Sequence, residues 1–160
     1  MGTLAGALAG VVGAWAMDVY WSAIARLKER SSAQTEPLSD DDATVRAASA
    51  VSRKILGRGL TKDEKEVAGP AVHFAMGALS GGLYGLLAEL VPRLRRDRGL
   101  ALGSALWLAA DEMAVPLLRL SKSPAHYPLS SHAEAFGAHI TYGVTTDLVR
   151  RVIRANLAVR

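Results

Sequence analysis

The stretch from His73 to Pro92, HFAMGALSGGLYGLLAELVP, places glycine at every fourth position from Gly77 to Gly85 inside an otherwise apolar run. The segment GTLAGALAGVVG repeats the device with Gly2, Gly6 and Gly10. In a helix surrounded by water each interior glycine costs about 0.5–1 kcal/mol relative to alanine. In lipid the same ladder is a packing face, because small residues four apart let two helix backbones approach closely. The glycines therefore favour membrane helices over a soluble bundle of very apolar ones.

The distribution of charge agrees. Charged residues crowd into 26–66, 93–98, 119–122 and 150–160, leaving apolar blocks at about residues 2–25, 67–91, 99–118 and 130–153. Roughly 20 mainly apolar residues cross a hydrocarbon core about 30 Å thick. The first two blocks fit that description. The third carries Asp111 and Glu112, and the fourth carries His132, Glu134, His139 and Asp147, so both are more polar than an isolated span should be. A signal peptide at the start fits poorly, since no Lys or Arg precedes the apolar run. The expected fold is all-α: one integral membrane domain over residues 1–160, a four-helix bundle with a polar loop at 26–66.

Inside that loop, SDDDATVRAASAVSRKILG reads as a short amphipathic helix. Ser39 can cap it, Asp40 to Asp42 suit the positive end of its dipole, and Gly57 can stop it. Val45, Ala48, Val51 or Ser52, and Ile55 fall on one face, which suits a connector packed on the end of the bundle better than a helix lying on the membrane. The chain has a net charge of +4 and no cysteine, which excludes disulfides, thiolate metal sites and a cysteine nucleophile. Because the basic residues flank apolar blocks, the expected partner is the lipid bilayer and not nucleic acid.

Turning by about 100° per residue, the second block puts His73, Gly77, Ser80, Gly81, Tyr84 and Ala88 on one stripe. The fourth puts His132, Phe136, His139, Gly143, Thr146 and Arg150 on another, with Asp147 at its margin. Asp111 and Glu112 diverge by the same arithmetic, so only one is expected to face the bundle axis. With four spans alternating in direction, Asp18, His73, Asp111, Glu112, His132, Glu134 and His139 fall in the same half of the membrane. The expected site is a His/carboxylate cluster of these residues with Tyr84, closed over by the loop from Pro116 to Pro128. Glu89 falls in the other half and is expected to serve the basic turn VPRLRRDRG, and Asp147 to lie near the arginines there.

The motifs YGLLAELVPRL, VPLLRLSKSP and HAEAFGAHITYG followed by VRR resemble the YagU-like inner-membrane family over residues 73–154. In that resemblance Glu89, Pro92, Pro116, Pro124, Glu134 and His139 occupy recurring positions. It implies a bacterial multi-pass inner-membrane protein and supplies no reaction.

Four functions compete. His, Asp and Glu are the residues of proton relays and ion paths, so handling of protons or a cation is the first, with an oligomer or larger membrane complex expected because one four-helix protomer is small for transport. A divalent metal on His73, His132 or His139 with Asp111 or Glu112 is a weaker second, since no Glu-x-x-His pair or zinc-helix motif is present. An enzyme is disfavoured: no nucleophile elbow or P-loop appears, and Ser130 or Ser131 with Glu134 reads as a capping box. The fourth is an accessory or assembly subunit whose polar residues only hold the helices together. The compact clusters Arg93–Arg98 and Arg150–Arg154 share a side, which points to cytoplasmic termini.

Overall fold

The computed structural model describes residues 1–30 and 43–158. Among these residues the chain is all-helical and forms five helices. α1 runs Gly2–Arg30, α2 Ala43–Leu56 and α3 Lys62–Leu90. α4, Leu100–Leu117, is α-helical to Leu106, π-helical through Trp107–Ala114 and α-helical again from Val115. α5 runs Leu129–Ala158. Short 3₁₀ turns, Pro92–Arg95 and Pro124–His126, interrupt the last two connections.

Among the described residues three helices, α1, α3 and α4, are long and apolar enough to cross a membrane. The sequence expects four such spans. α5 has the length but falls short in apolarity, because ionisable residues recur along it from His132 to Arg154.

α1 packs on α3 and α5, α4 packs on α5, and α2 packs on α3. α1 and α3 run antiparallel with their glycines in register: Gly2 meets Gly85, Gly6 meets Gly81 and Gly85, and Gly10 meets Gly77 and Gly81. A Cβ at Gly81 would lie 2.7 Å from the Gly10 Cα, and one at Gly85 would lie 2.9 Å from the Gly6 Cα. Non-bonded carbons prefer about 3.5–4.0 Å, so no side chain fits between these backbones. α4 and α5 repeat the arrangement, where a Cβ at Gly143 would stand 3.0 Å from the Gly103 Cα. Gly99 starts α4 with φ 86°, in the left-handed region, and lies against the Gly143 carbonyl, so two independent constraints require glycine there.

This packing leaves almost no room for a conventional core. The buried residues of α1 are Gly2, Ala5, Gly6, Ala9, Gly10, Gly13, Ala14 and Met17. The largest fully buried side chains are Thr146 and Asp147. The large apolar residues point outward instead, with Leu8 62% exposed and Leu79 69% exposed. A water-soluble domain sorts its residues the other way. Tyr142 is the main exception: it is buried beside Ala14, Met17 and Ala138, and its hydroxyl donates to the Gly77 carbonyl at 2.7 Å and meets the Ser80 hydroxyl at 2.8 Å.

α2 packs against α3 through Val45, which contacts Gly69, and buries Ala48, Ser49 and Ser52. Ile55, expected on the packed face, is 73% exposed. Gly57 follows the helix at φ 69°, as a C-terminal stop requires. The expected cap at Ser39 and the acidic residues Asp40–Asp42 lie outside the described residues. α3 begins with a capping box: the Glu64 amide donates to the Thr61 hydroxyl at 3.3 Å and the Thr61 amide donates to the Glu64 carboxylate at 2.8 Å. The TKDE spacing carries this signature in the sequence.

Filling the α1–α3 seam is therefore expected to destabilise the fold. Gly81→Val should cost at least the 1–3 kcal/mol typical of overpacking, roughly estimated. Gly59→Val, at a glycine with open space around it, should stay within about 0.5 kcal/mol. Thermal unfolding of the two purified variants against the parent checks both.

Candidate functional site

Asp111 and Glu112 are neighbours in sequence, and in an α-helix they would point about 100° apart. The π-helical segment changes this. Its i→i+5 turns are wider than α turns and rotate less per residue, and both carboxylates reach α5. Glu112 Oε1 is 2.6 Å from His132 Nδ1, and Asp111 Oδ2 is 3.5 Å from His139 Nδ1. The two histidines are seven residues, about two turns, apart on α5. The expectation that only one of the adjacent carboxylates faces inward is thus corrected. Pro116 contributes locally: it has no N–H to offer the Glu112 carbonyl four residues back, which disfavours regular α-helix at this point.

The His132 ring is held from both sides, by Glu112 at Nδ1 and by the Pro124 carbonyl, 3.1 Å from Nε2. A ring facing acceptors on both nitrogens is satisfied when both carry hydrogen or when the carboxyl supplies the second proton. Beside this ring opens a cleft of about 200 Å³, lined by Asp111, Glu112, Val115, Ser121, Lys122, Pro124, Tyr127, Ser131, His132 and Ala135. The loop between α4 and α5 forms one wall. It therefore closes over these residues where the sequence places it.

The other expected residues meet at different interfaces. His73 Nε2 lies 3.2 Å from Asp18 Oδ1 and 3.3 Å from the Ala14 carbonyl, joining α3 to α1. His139 Nδ1 also faces the Ala135 carbonyl at 3.0 Å, within its own helix. Glu134 accepts from Lys28 at 2.7 Å and joins α5 to α1. It does not form the capping box expected with Ser130 or Ser131; α5 begins at Leu129, and the Ser131 amide donates to the Pro128 carbonyl.

These contacts are pairs. Between them the α1–α5 contact is apolar, made by Met17, Tyr20, Ala138 and Tyr142. Among the described residues no three His, Cys, Asp or Glu side chains converge as a group able to hold a metal ion.

Tyr84 belongs elsewhere. It lies eleven residues beyond His73 on α3, roughly 16 Å along the axis, and its hydroxyl donates to Asp147 Oδ1 at 2.8 Å. Asp147, 1% exposed, also accepts from Arg150 at 3.2 Å and from Arg151 at 2.5 Å. Arg150 stacks over the Tyr84 ring with its guanidinium carbon 5.6 Å from the centroid. Glu89 pairs with Arg154, at 3.0 Å, from the end of α5. Its partner is therefore a C-terminal arginine, where the basic turn was expected. Asp147 is the central residue of this end, and its partners are readable in DLVRR, which sets a carboxylate three and four residues before two arginines.

Residues 59–148, a little over half of the chain, match a family described as a protein of unknown function (DUF1440). The match takes in α3, α4 and most of α5, and with them every histidine named above. No curated protein and no solved structure matches the chain.

Separate pairs should behave separately. A double-mutant cycle of Glu112→Gln with His132→Gln is expected to show a coupling of about 0.5–3 kcal/mol, as residues in contact do. Glu112→Gln with His73→Gln should be additive to within about 0.5 kcal/mol. Unfolding free energies of the single and double variants test this, and strong coupling in the second cycle would mean one shared cluster.

Proposed function

The chain belongs to the DUF1440 family, and on that premise we propose that it is a multi-pass inner-membrane protein whose Asp111/Glu112/His132/His139 site handles protons or a small cation. One observation carries the reading: the π-helical turn of α4 presents two adjacent carboxylates to two histidines of α5, beside a cleft. π turns recur at functional sites, and ionisable residues inside membrane helices mark ion and proton paths more often than they decorate a scaffold. In this reading a proton passes between carboxylate and imidazole within each pair. Ser121 and Lys122, from the α4–α5 loop, form part of the cleft wall.

The membrane placement rests on several features together. Leucine, valine and tryptophan side chains face outward around a small-residue interior, and the glycine ladders are the close-packing device of membrane helices. α5 completes a four-helix bundle as a fourth span, its polar residues screened by α1 and α4. The start of α1, the turn after α3 and the end of α5 share one end, since Gly2 approaches Glu89 and Arg151 donates to the Arg95 carbonyl. The compact arginine clusters at that end favour a cytoplasmic location for it. The YagU-like resemblance supports the same placement, and an oligomer suits a path that one protomer is too small to enclose.

A second reading has its own support. His73, His132 and His139 each find partners within the chain, as expected for an accessory or assembly subunit in which interhelical bonds contribute roughly 0.6 kcal/mol each to cohesion.

Reconstitution into liposomes with a pH-sensitive dye inside separates the two. Under an imposed pH gradient and membrane potential, the parent chain should dissipate the gradient well above protein-free liposomes. Asp111→Asn should reduce that rate at least tenfold with helicity unchanged. Should the parent move neither protons nor a cation, and should Asp111→Asn and His132→Gln lower only the thermal midpoint, the subunit reading stands.

A further inference from the structure

At the end opposite the His/carboxylate pairs lies an open cleft of about 360 Å³ walled by Glu89, Arg95, Arg150, Arg151 and Arg154. Four guanidinium groups face one carboxylate on the wall and the buried Asp147 behind it, which leaves an excess of two positive charges. We propose that this cleft binds a phosphate group.

The local geometry argues for a ligand beyond simple charge. Arg150 is 3% exposed, yet its Nε has no hydrogen-bond acceptor among the described residues. A buried donor left without a partner is costly and calls for an explanation. Only its Nη2 is accounted for, by Asp147 at 3.2 Å, and the Tyr84 ring covers one face of the guanidinium. Arg150 is thus fixed in orientation and forms part of the cleft wall, with its unpaired Nε buried behind that wall. The guanidinium of Arg95, on the turn that follows α3, lines the cleft and has neither a hydrogen-bonding nor an ionic partner among the described residues. Arg151 bridges the two, donating to Asp147 and to the Arg95 carbonyl, and so ties the turn to α5. Arg154 is shared with Glu89 at 3.0 Å, a contact that a competing anion can loosen.

Forked guanidinium groups match the oxygens of a phosphate two at a time, which a lysine cannot do. Two exposed leucines adjoin lining residues in the chain: Leu90, next to Glu89, is 68% exposed, and Leu148, one turn before Arg151, is 61% exposed. A lipid headgroup phosphate would enter the cleft with its acyl chains along those residues, and a free phosphate would enter from solution. The chemistry is common to both sources. The inference does not depend on the proton or cation reading, since it uses a different end of the molecule and different residues.

The test uses the full chain purified in a maltoside detergent, which carries no phosphate. Binding is followed by native mass spectrometry and thermal shift with two probes, phosphatidylglycerol and inorganic phosphate, against matched chloride. One saturable equivalent of phosphatidylglycerol that inorganic phosphate does not displace assigns a lipid headgroup. Displacement, or binding of inorganic phosphate alone, assigns free phosphate. In either case Arg95→Gln with Arg154→Gln should weaken binding at least tenfold. Should that double variant fail to fold, Arg95→Gln alone, which removes a side chain with no protein partner, should weaken it at least threefold. Binding of neither probe above chloride, or binding unchanged in these variants, would overturn the proposal.

Discussion

The backbones of α1 and α3 approach each other so closely that a single Cβ at Gly81 would stand 2.7 Å from the opposite Gly10 Cα. Most of the architecture follows from that contact. With glycine and alanine filling the seam, leucine, valine and tryptophan have no interior to occupy and are turned outward. An exterior of that kind is costly in water and favourable in lipid. The α4–α5 seam, with Gly99, Gly103 and Gly143, repeats the solution. Close approach also explains why Tyr142 can cross from α5 and reach a backbone carbonyl of α3, a bond that ties the third and fifth helices together.

Because the seams contain so little side-chain bulk, the ionisable groups are pushed towards the two ends, and the ends differ in kind. One holds histidines facing carboxylates across helix boundaries. The other holds arginines gathered around Asp147 and Glu89. The first is the site proposed to handle protons or a cation, and the second the cleft proposed to bind phosphate. Tyr84 shows how firmly the ends are separated: it shares a helix stripe with His73 yet spends its hydroxyl on Asp147.

Much of this was legible in the chain. The glycine spacing in GTLAGALAG and GALSGGLYG announces the faces that meet, and the alternation of apolar and charged blocks places the long helices within a few residues, apart from the extra turns that α1, α3 and α5 add at their ends. The end of α2 at Gly57 and the closure of the α4–α5 loop over His132 also follow from local chemistry. What the sequence hid was geometry that breaks helical arithmetic. A π turn redirects Asp111 and Glu112 to the same partner helix, and no periodicity argument based on 3.6 residues per turn anticipates it. Shared depth suggested one cluster. Depth says nothing about azimuth, and the packing of Met17 and Tyr20 against α5 keeps the Asp18–His73 pair apart from the others. Ser130 or Ser131 with Glu134 forms no capping box, because α5 begins at Leu129 and Glu134 accepts from Lys28; the box lies at the start of α3, between Thr61 and Glu64.

The central claim is that the outward leucines face lipid while the glycine seam faces protein. The chain contains no cysteine, so single spin labels can be placed at will. Labels at Leu8, Leu83 and Leu108, in liposome-reconstituted protein, are the most direct probe, read by collision with oxygen and with a water-soluble nickel chelate. High oxygen and low nickel accessibility at all three positions, with the reverse for a label at Gly59, is the predicted result. Nickel accessibility at Leu8 and Leu83 equal to that at Gly59 would show that these faces meet water, and would contradict the account.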